Sequence, residues 1–387
     1  MVRPTPFRRL IFQLILVGTI VLISFPLGVL VYLNTLLVLP QVLVKNFEAA
    51  INLSASHDTT IVIGSRTFII PKGEINYWIE PYVRAYTGQK DLRFTDASDK
   101  YIASLAQKTD REPVDVRFTI NNATPVILVS SQNGQKLNIV SATAQLRQGI
   151  LANMSEISLQ PKIITPAITV EKINSLGVNQ RIAVGESNFT GSTLARIQNI
   201  KVSSKIYNGL IIAPHQTFSF NMLLGDVTAS TGYAPEKVIK NNKIEYEYGG
   251  GICQVSTTLF RAAILAGFPI IERKNHAFPV HYYEPQGFDA TIYPGVSDLR
   301  FINDSANPVL IQTHITGKNL FFEIYGTSDG RKVTMAGPYQ YDIQPDGSMK
   351  AYFTRTIMFA NGASTSKRFN SVYKSPSLYP TEPNPYE

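Results

Sequence analysis

The chain has 387 residues, with 36 Lys and Arg against 28 Asp and Glu, a formal charge of +8 and one cysteine. One cysteine excludes a disulfide framework within the chain, and the length suffices for more than one domain with an ordinary hydrophobic core. The basic excess suits an anionic wall or membrane surface, but it forms no Arg/Lys stripe with interleaved aromatics, so nucleic acid is not expected as a partner.

Arg3, Arg8 and Arg9 precede a stretch from Leu10 to Val44 that carries no charge. Within it, residues 10–39 are almost wholly apolar and long enough to span a bilayer with some tilt. A cleaved signal peptide would have a shorter apolar part and end at a small-residue site, and none is found before Asn46. The pattern predicts a transmembrane signal anchor over 10–39, with residues 1–9 cytoplasmic and the rest extracytoplasmic. The expected localisation is the cell membrane, single-pass.

Beyond the anchor, Thr59 to Ile70 alternates toward strand, with a turn at Gly64-Ser65. Ile75, Trp78, Ile79, Tyr82 and Val83 recur at helical spacing. Strands are expected at Val114–Ile120 and Val126–Ser131, a helix at Val140–Met154, and an extended exit through ISLQPKIITPAIT. Together they make a small α+β domain over 55–168 with no His, Cys or acid cluster suggesting chemistry. A second α+β domain is expected over 180–325. It has a helix at Ser192–Tyr207, a helix beginning near Cys253, and successive strands in HAFPVHYY, DATIYP, DLRFIN and PVLIQTHI. Residues 326–374 continue as a β extension with a turn at Asn361-Gly362, and 375–387 form a proline-rich, extended tail.

The chemistry gathers at GGGICQVSTTLFRAAILAG. A thiol at a helix N-terminus meets unpaired N–H groups and the positive end of the helix dipole, both of which favour thiolate. Gly249, Gly250 and Gly251 allow a sharp turn and a close approach to the backbone. A free cysteine is usually a small buried hydrophobe, but three glycines are an odd preface to that, and Cys253 reads as a nucleophile. If HAFPVHYY is a strand, His276 and His281 point to opposite faces, and His276 is the better general base. Asp289 or Asp298 could orient the imidazole, with the balance toward Asp289. His57, His215 and His314 read as structural or exposed. The glycine run lacks the Lys-Ser/Thr of a phosphate loop. No ligand pairs at close spacing suggest a metal, and no cofactor is expected.

TFSFNMLLGDVTASTGY, GGGICQVSTTL, ERKNH, the Gly287-Phe288-Asp289-Ala290-Thr291 run and DLRFIN together resemble the VanW domain family, and GESNFTGSTLARIQNI resembles its lead-in. The resemblance covers roughly residues 180–325. PVDVRFTI, NGQKLNIV and LQPKIITPAI resemble, less sharply, a peptidoglycan-binding domain that often precedes VanW domains. Some VanW members are cysteine L,D-transpeptidases, so the resemblance implies a nucleophile at Cys253, a base at His276 and a partner in peptidoglycan stem peptides. Asp289 and Asp298 both stand at family positions. Gly250, Gly251, Gln254 and Asp298 are the supporting or alternative residues. His215 departs from the family's glycine before FSFN, and Ala277 from its serine.

These expectations describe a membrane-anchored L,D-transpeptidase that forms cross-links through a thioester on Cys253. A cysteine endopeptidase or carboxypeptidase with the same residues is an alternative, and so is a non-catalytic wall-binding envelope protein.

Overall fold

Chain segments with alternating apolar residues pair early in the described part of the protein. In the computed structural model, which describes residues 57–385 apart from 179 and 241, β1 (Thr59–Ile63) buries Thr59, Ile61 and Ile63 and pairs antiparallel with β2 (Arg66–Ile70). The helical spacing beginning at Ile75 is cut short. Helix α1 (Lys72–Trp78) gives way to the hairpin β3 (Ile79–Val83) and β4 (Lys90–Phe94) at Glu80-Pro81, since proline disfavours helix at the residue before it. Helix α2 (Ala97–Thr109) follows. The chain then makes the hairpin β5 (Arg117–Asn121) and β6 (Thr124–Val129).

β7 (Gly134–Lys136) leads to α3 (Ile139–Leu151), whose N-cap Asn138 accepts the Ser141 N–H at 3.1 Å. β8 (Glu156–Leu159) runs parallel to β1, and β9 (Lys162–Ile164) pairs with β7. The described residues up to Pro113, with Asn133–Thr165, form one unit around Ile61, Trp78, Ile102, Leu105, Leu146 and Leu159. The hairpin β5–β6 belongs to the other unit, where Val116 and Phe118 pack with Ile173, Val178 and Leu310.

That second unit is built on the sheet order β10-β18-β17-β11. Its elements are β10 (Gln180–Asn188), α4 (Leu194–Tyr207), β11 (Leu210–Ile212), β12 (Thr217–Ser219), α5 (Phe220–Leu224), β13 (Pro235–Lys240), β14 (Lys243–Tyr248), α6 (Ile252–Leu265), β15 (Ile270–Glu272), β16 (Arg300–Ile302), β17 (Val309–Thr316) and β18 (Asn319–Gly326). Helix α6 is buried nearly all round, as a helix threaded through a core must be. It lies so close to β10 that a Cβ on Gly185 would stand 2.2 Å from the Thr258 carbonyl. Each fully buried aromatic such as Phe260 stabilises the fold by about 1.5–3 kcal/mol relative to exposure.

Three long strands, β19 (Lys332–Tyr341), β20 (Met349–Met358) and β21 (Ser364–Tyr373), form an antiparallel sheet that adds Phe353 and Phe369 to the same core.

Two expectations are corrected here. The fold is α+β, but among the described residues no helix is long and apolar enough to cross a membrane. The segment 10–39 lies outside those residues, so an N-terminal transmembrane helix and a single-pass membrane localisation are not supported. The proline-rich tail is also not simply extended. Pro376–Leu378 is a turn of 3-10 helix, Tyr379 is buried with its ring 4.9 Å from Phe278, and Ile244 bridges to Thr381.

Candidate active site

The start of α6 is set by glycines and one buried amide. Gly249 and Gly251 have φ of +93° and +115°, values that side-chain-bearing residues rarely adopt. A Cβ on Gly250 would stand 2.6 Å from the Lys237 carbonyl oxygen. Asn199, from α4, donates to the carbonyls of Ala234 (2.9 Å) and Gly250 (3.0 Å) and accepts the Ala234 N–H (2.7 Å). The turn therefore places Cys253 as the second residue of a 14-residue helix, partly exposed, at its electropositive end.

Polar residues buried along α6 hold the facing chain in register with the thiol. Ser256 and Thr257 donate to the Ala290 carbonyl at 2.6 and 3.2 Å, and the Ala290 N–H returns to Thr257 at 3.1 Å. That leaves the Thr291 hydroxyl 3.4 Å and the Ile292 carbonyl 3.7 Å from Cys253 Sγ.

Asp289, one residue earlier, turns to His276. Its Oδ2 lies 2.5 Å from His276 Nδ1 and also accepts the His276 backbone N–H at 2.8 Å. Its Oδ1 accepts from the Tyr373 hydroxyl at 2.5 Å and from Arg273 Nη2 at 3.2 Å. A carboxylate on Nδ1 fixes the proton there and frees Nε2 to serve as an acceptor. Nε2 is buried and the group acting on the ring from that side is the Cys253 thiol, and the Tyr283 ring stacks on the imidazole at 4.2 Å.

The electrostatics follow from this packing. Burial works against the thiolate, but the His276 imidazole, with help from Thr291 and the Ile292 backbone, outweighs it and brings Cys253 down from 9.0 to about 7. Burial likewise works against the imidazolium, but Asp289 and Cys253 push His276 up from 6.5 to about 9. Asp289 is held well below the carboxylate range, because His276, Arg273 and Tyr373 prevail over its burial. Between these values the pair is thiolate and imidazolium.

The structure brings Cys253, His276 and Asp289 together and sets the other candidates apart. Asp298 accepts from the Ser219 hydroxyl (2.6 Å) and the N–H groups of Asn221 (2.9 Å) and Leu299 (2.8 Å), fixing the start of α5. Gln254 points inward, donating to Ser187 at 2.9 Å and the Asn188 carbonyl at 3.1 Å. His281 is exposed. HAFPVHYY does not form the expected strand: residues 275–280 are irregular and His281–Tyr283 is a 3-10 turn. Pro279 lacks the N–H a ladder needs, and the backbone groups here are taken by other partners. The Val280 carbonyl accepts from Gln286, and the Ala277 carbonyl from the Lys374 N–H. His215 has φ of +60°, which accounts for glycine being the family's residue there.

Arg273, Tyr283, Thr291 and Tyr373 were not singled out from the sequence. Arg273 and Thr291 lie inside the ERKNH and DAT runs and could have been. Tyr373 sits beyond residue 325, where only strand alternation shows. Among the described residues no group of three or more His, Cys, Asp or Glu is placed to hold a metal ion.

The α+β unit thus gathers a cysteine at the start of a buried helix, a histidine and the aspartate that holds it into one cluster. Residues 195–325 match the family described as "VanW like protein", and residues 95–158 the family described as "Putative peptidoglycan binding domain". The uncharacterized protein YoaR of Bacillus subtilis (strain 168) is 31% identical over 229 residues, 59% of this chain and 74% of that protein. The Vancomycin B-type resistance protein VanW of Enterococcus faecalis (strain ATCC 700802 / V583) is 37% identical over 159 residues, 40% of this chain and about half (52%) of that protein. The chain belongs to the VanW family. A crystal structure of an Enterococcus faecium L,D-transpeptidase C442S mutant covers 52% of this chain and 74% of that one at 16% identity, but with a TM-score of 0.22 the likeness carries no argument.

Proposed function

We propose that the protein is a cysteine acyltransferase of the L,D-transpeptidase kind, acting on peptidoglycan stem peptides. The observation that carries this reading is the Cys253–His276–Asp289 arrangement at the start of α6, with a lowered thiol and a raised imidazole. The Cys253 thiolate attacks the carbonyl before the terminal residue of a tetrapeptide stem, and a C–S bond forms. N–H groups at the helix start stabilise the oxyanion. As the C–N bond breaks, His276 gives its proton to the departing amine, leaving a thioester. An amine of a second stem then attacks, His276 takes its proton, and the thiolate departs. Asp289 holds the imidazole in the required tautomer throughout. The match over residues 95–158 supports a cell-wall setting.

The test is to supply a tetrapeptide donor with rising concentrations of an amine-bearing stem and identify products by mass. Cross-linked dimer should rise with acceptor as the terminal residue is released. Tripeptide alone at every acceptor concentration would favour the peptidase, and no product from any stem would exclude stem peptides as the substrate.

A further inference from the structure

Arg196 is buried beside this site with no carboxylate to balance it. It is 9% exposed, its Nη2 donates to Gln254 Oε1 at 3.0 Å, and its Cζ lies 4.1 Å from the centroid of the Tyr282 ring. Nε is buried and has no hydrogen-bond partner. Buried charges are normally paired, and two other buried arginines show how. Arg273 has Asp289, and Arg261 spreads over the carbonyls of Glu186, Tyr283 and Phe288. Glu236 does not serve Arg196, being held by the Thr193 hydroxyl and the Lys237 N–H. Arg355 shares the unpaired Nε but bonds the Phe268 carbonyl. It therefore lies at the other end of α6, about 20 Å from the thiol by helix rise.

The position of Arg196 indicates what could use it. Its Cγ would lie 3.1 Å from a Cβ on Gly251, the residue before α6, and Gln254 directly follows Cys253. Tyr283 stacks on His276, and its hydroxyl hydrogen-bonds Arg196 and feels the charge of Cys253. The guanidinium therefore lies next to the turn that sets the start of α6 and to the tyrosine that stacks on the base. Tyr282 covers one of its faces, so a ligand must meet it edge-on. Nε and an Nη together present two parallel N–H donors to such a ligand, the match for a planar carboxylate.

We infer that Arg196 binds the substrate's terminal carboxylate, on the leaving-residue side of the scissile bond. The inference rests on the acyl-transfer reading for the identity of the substrate: a peptide whose last residue bears a free α-carboxylate next to the amide that Cys253 attacks.

Two measurements on the full-length protein test it separately. In the first, Cys253 is alkylated with iodoacetate, a carboxylate, and with neutral iodoacetamide. The Arg196→Gln variant should lower the iodoacetate-to-iodoacetamide rate ratio about tenfold, the scale of one hydrogen bond to a charged group; an unchanged ratio overturns the assignment. The second needs no variant and so survives a folding failure. The wild-type protein should act on a tetrapeptide ending in a carboxylate with kcat/KM about tenfold or more above its C-terminal amide, and equal values overturn the assignment. No turnover of either peptide would defeat the proposed function instead, and the alkylation ratio would then decide Arg196.

Discussion

Tyr373, the last residue of β21, donates its hydroxyl to Asp289 Oδ1 at 2.5 Å and accepts the Gly287 N–H at 2.7 Å. The C-terminal sheet thus completes a site whose other members lie between residues 253 and 291. Asn275 and Ala277, on either side of His276, are also tied to this strand end, through the Val372 carbonyl and the Lys374 N–H. Tyr373→Phe should cost about 1–3 kcal/mol through the unsatisfied partners it leaves. It should also lower activity less than loss of His276 does. Thermal melts and turnover of the variant check this, and an activity loss as complete as that of His276→Ala would mean Tyr373 does more than position Asp289.

His276→Ala should abolish turnover, whereas His281→Ala should keep most of it. The ground for this is placement: His276 is buried on Asp289, and His281 is exposed on a 3-10 turn. Equal losses in the two variants would contradict the assignment of the base.

The thiol should titrate near neutrality. The rate of Cys253 alkylation by iodoacetamide should rise with pH through about 7, the value the imidazole imposes against burial. In His276→Ala the burial remains and its main opponent is gone, so the inflection should move to the alkaline side of the ordinary thiol. An inflection that does not move would show that His276 does not act on the thiol.

Stability should depend on pH in a specific pattern. His276, raised to about 9, contributes fully below its ordinary 6.5 and loses that contribution as pH rises through about 9. Cys253, lowered to about 7, contributes fully above its ordinary 9.0 and loses it as pH falls through about 7. Between pH 7 and 9 the two run oppositely and offset each other. Asp289 is depressed, so its contribution is present above the carboxylate range and lost in acid. The melting temperature should be nearly flat from pH 7 to 9 and fall on acidification. A steep slope between pH 7 and 9 would show that the pair does not titrate together.

The sequence revealed the thiol end of the site more fully than its supports. Glycine spacing and a helical pattern located Cys253, because the left-handed turn at Gly251 and the periodicity of α6 are local properties. The preference for His276 over His281 rests on a strand that does not form; in the structure Asp289, thirteen residues on, takes the His276 ring and N–H together, while His281 is exposed. Asp289 and Asp298 each begin or lie near a strand-like run, which gives only a weak preference for Asp289, and it is tertiary packing that sends Asp289 to an imidazole and Asp298 to a helix start. The bond of Tyr373 to Asp289 and that of the Arg196 guanidinium to Gln254 join residues more than fifty apart in sequence, and no local pattern encodes them.

The central claim is that Cys253 carries an acyl group during turnover. The full-length protein, mixed with a tetrapeptide stem and quenched in acid within the turnover time, should gain the mass of the stem acyl group lacking its terminal residue. The adduct should map to Cys253, be released by hydroxylamine as a thioester, and be absent from Cys253→Ala. A protein whose Cys253 alkylates with an inflection near pH 7 but which shows no adduct at any quench time, while its stem is still cleaved, would contradict it.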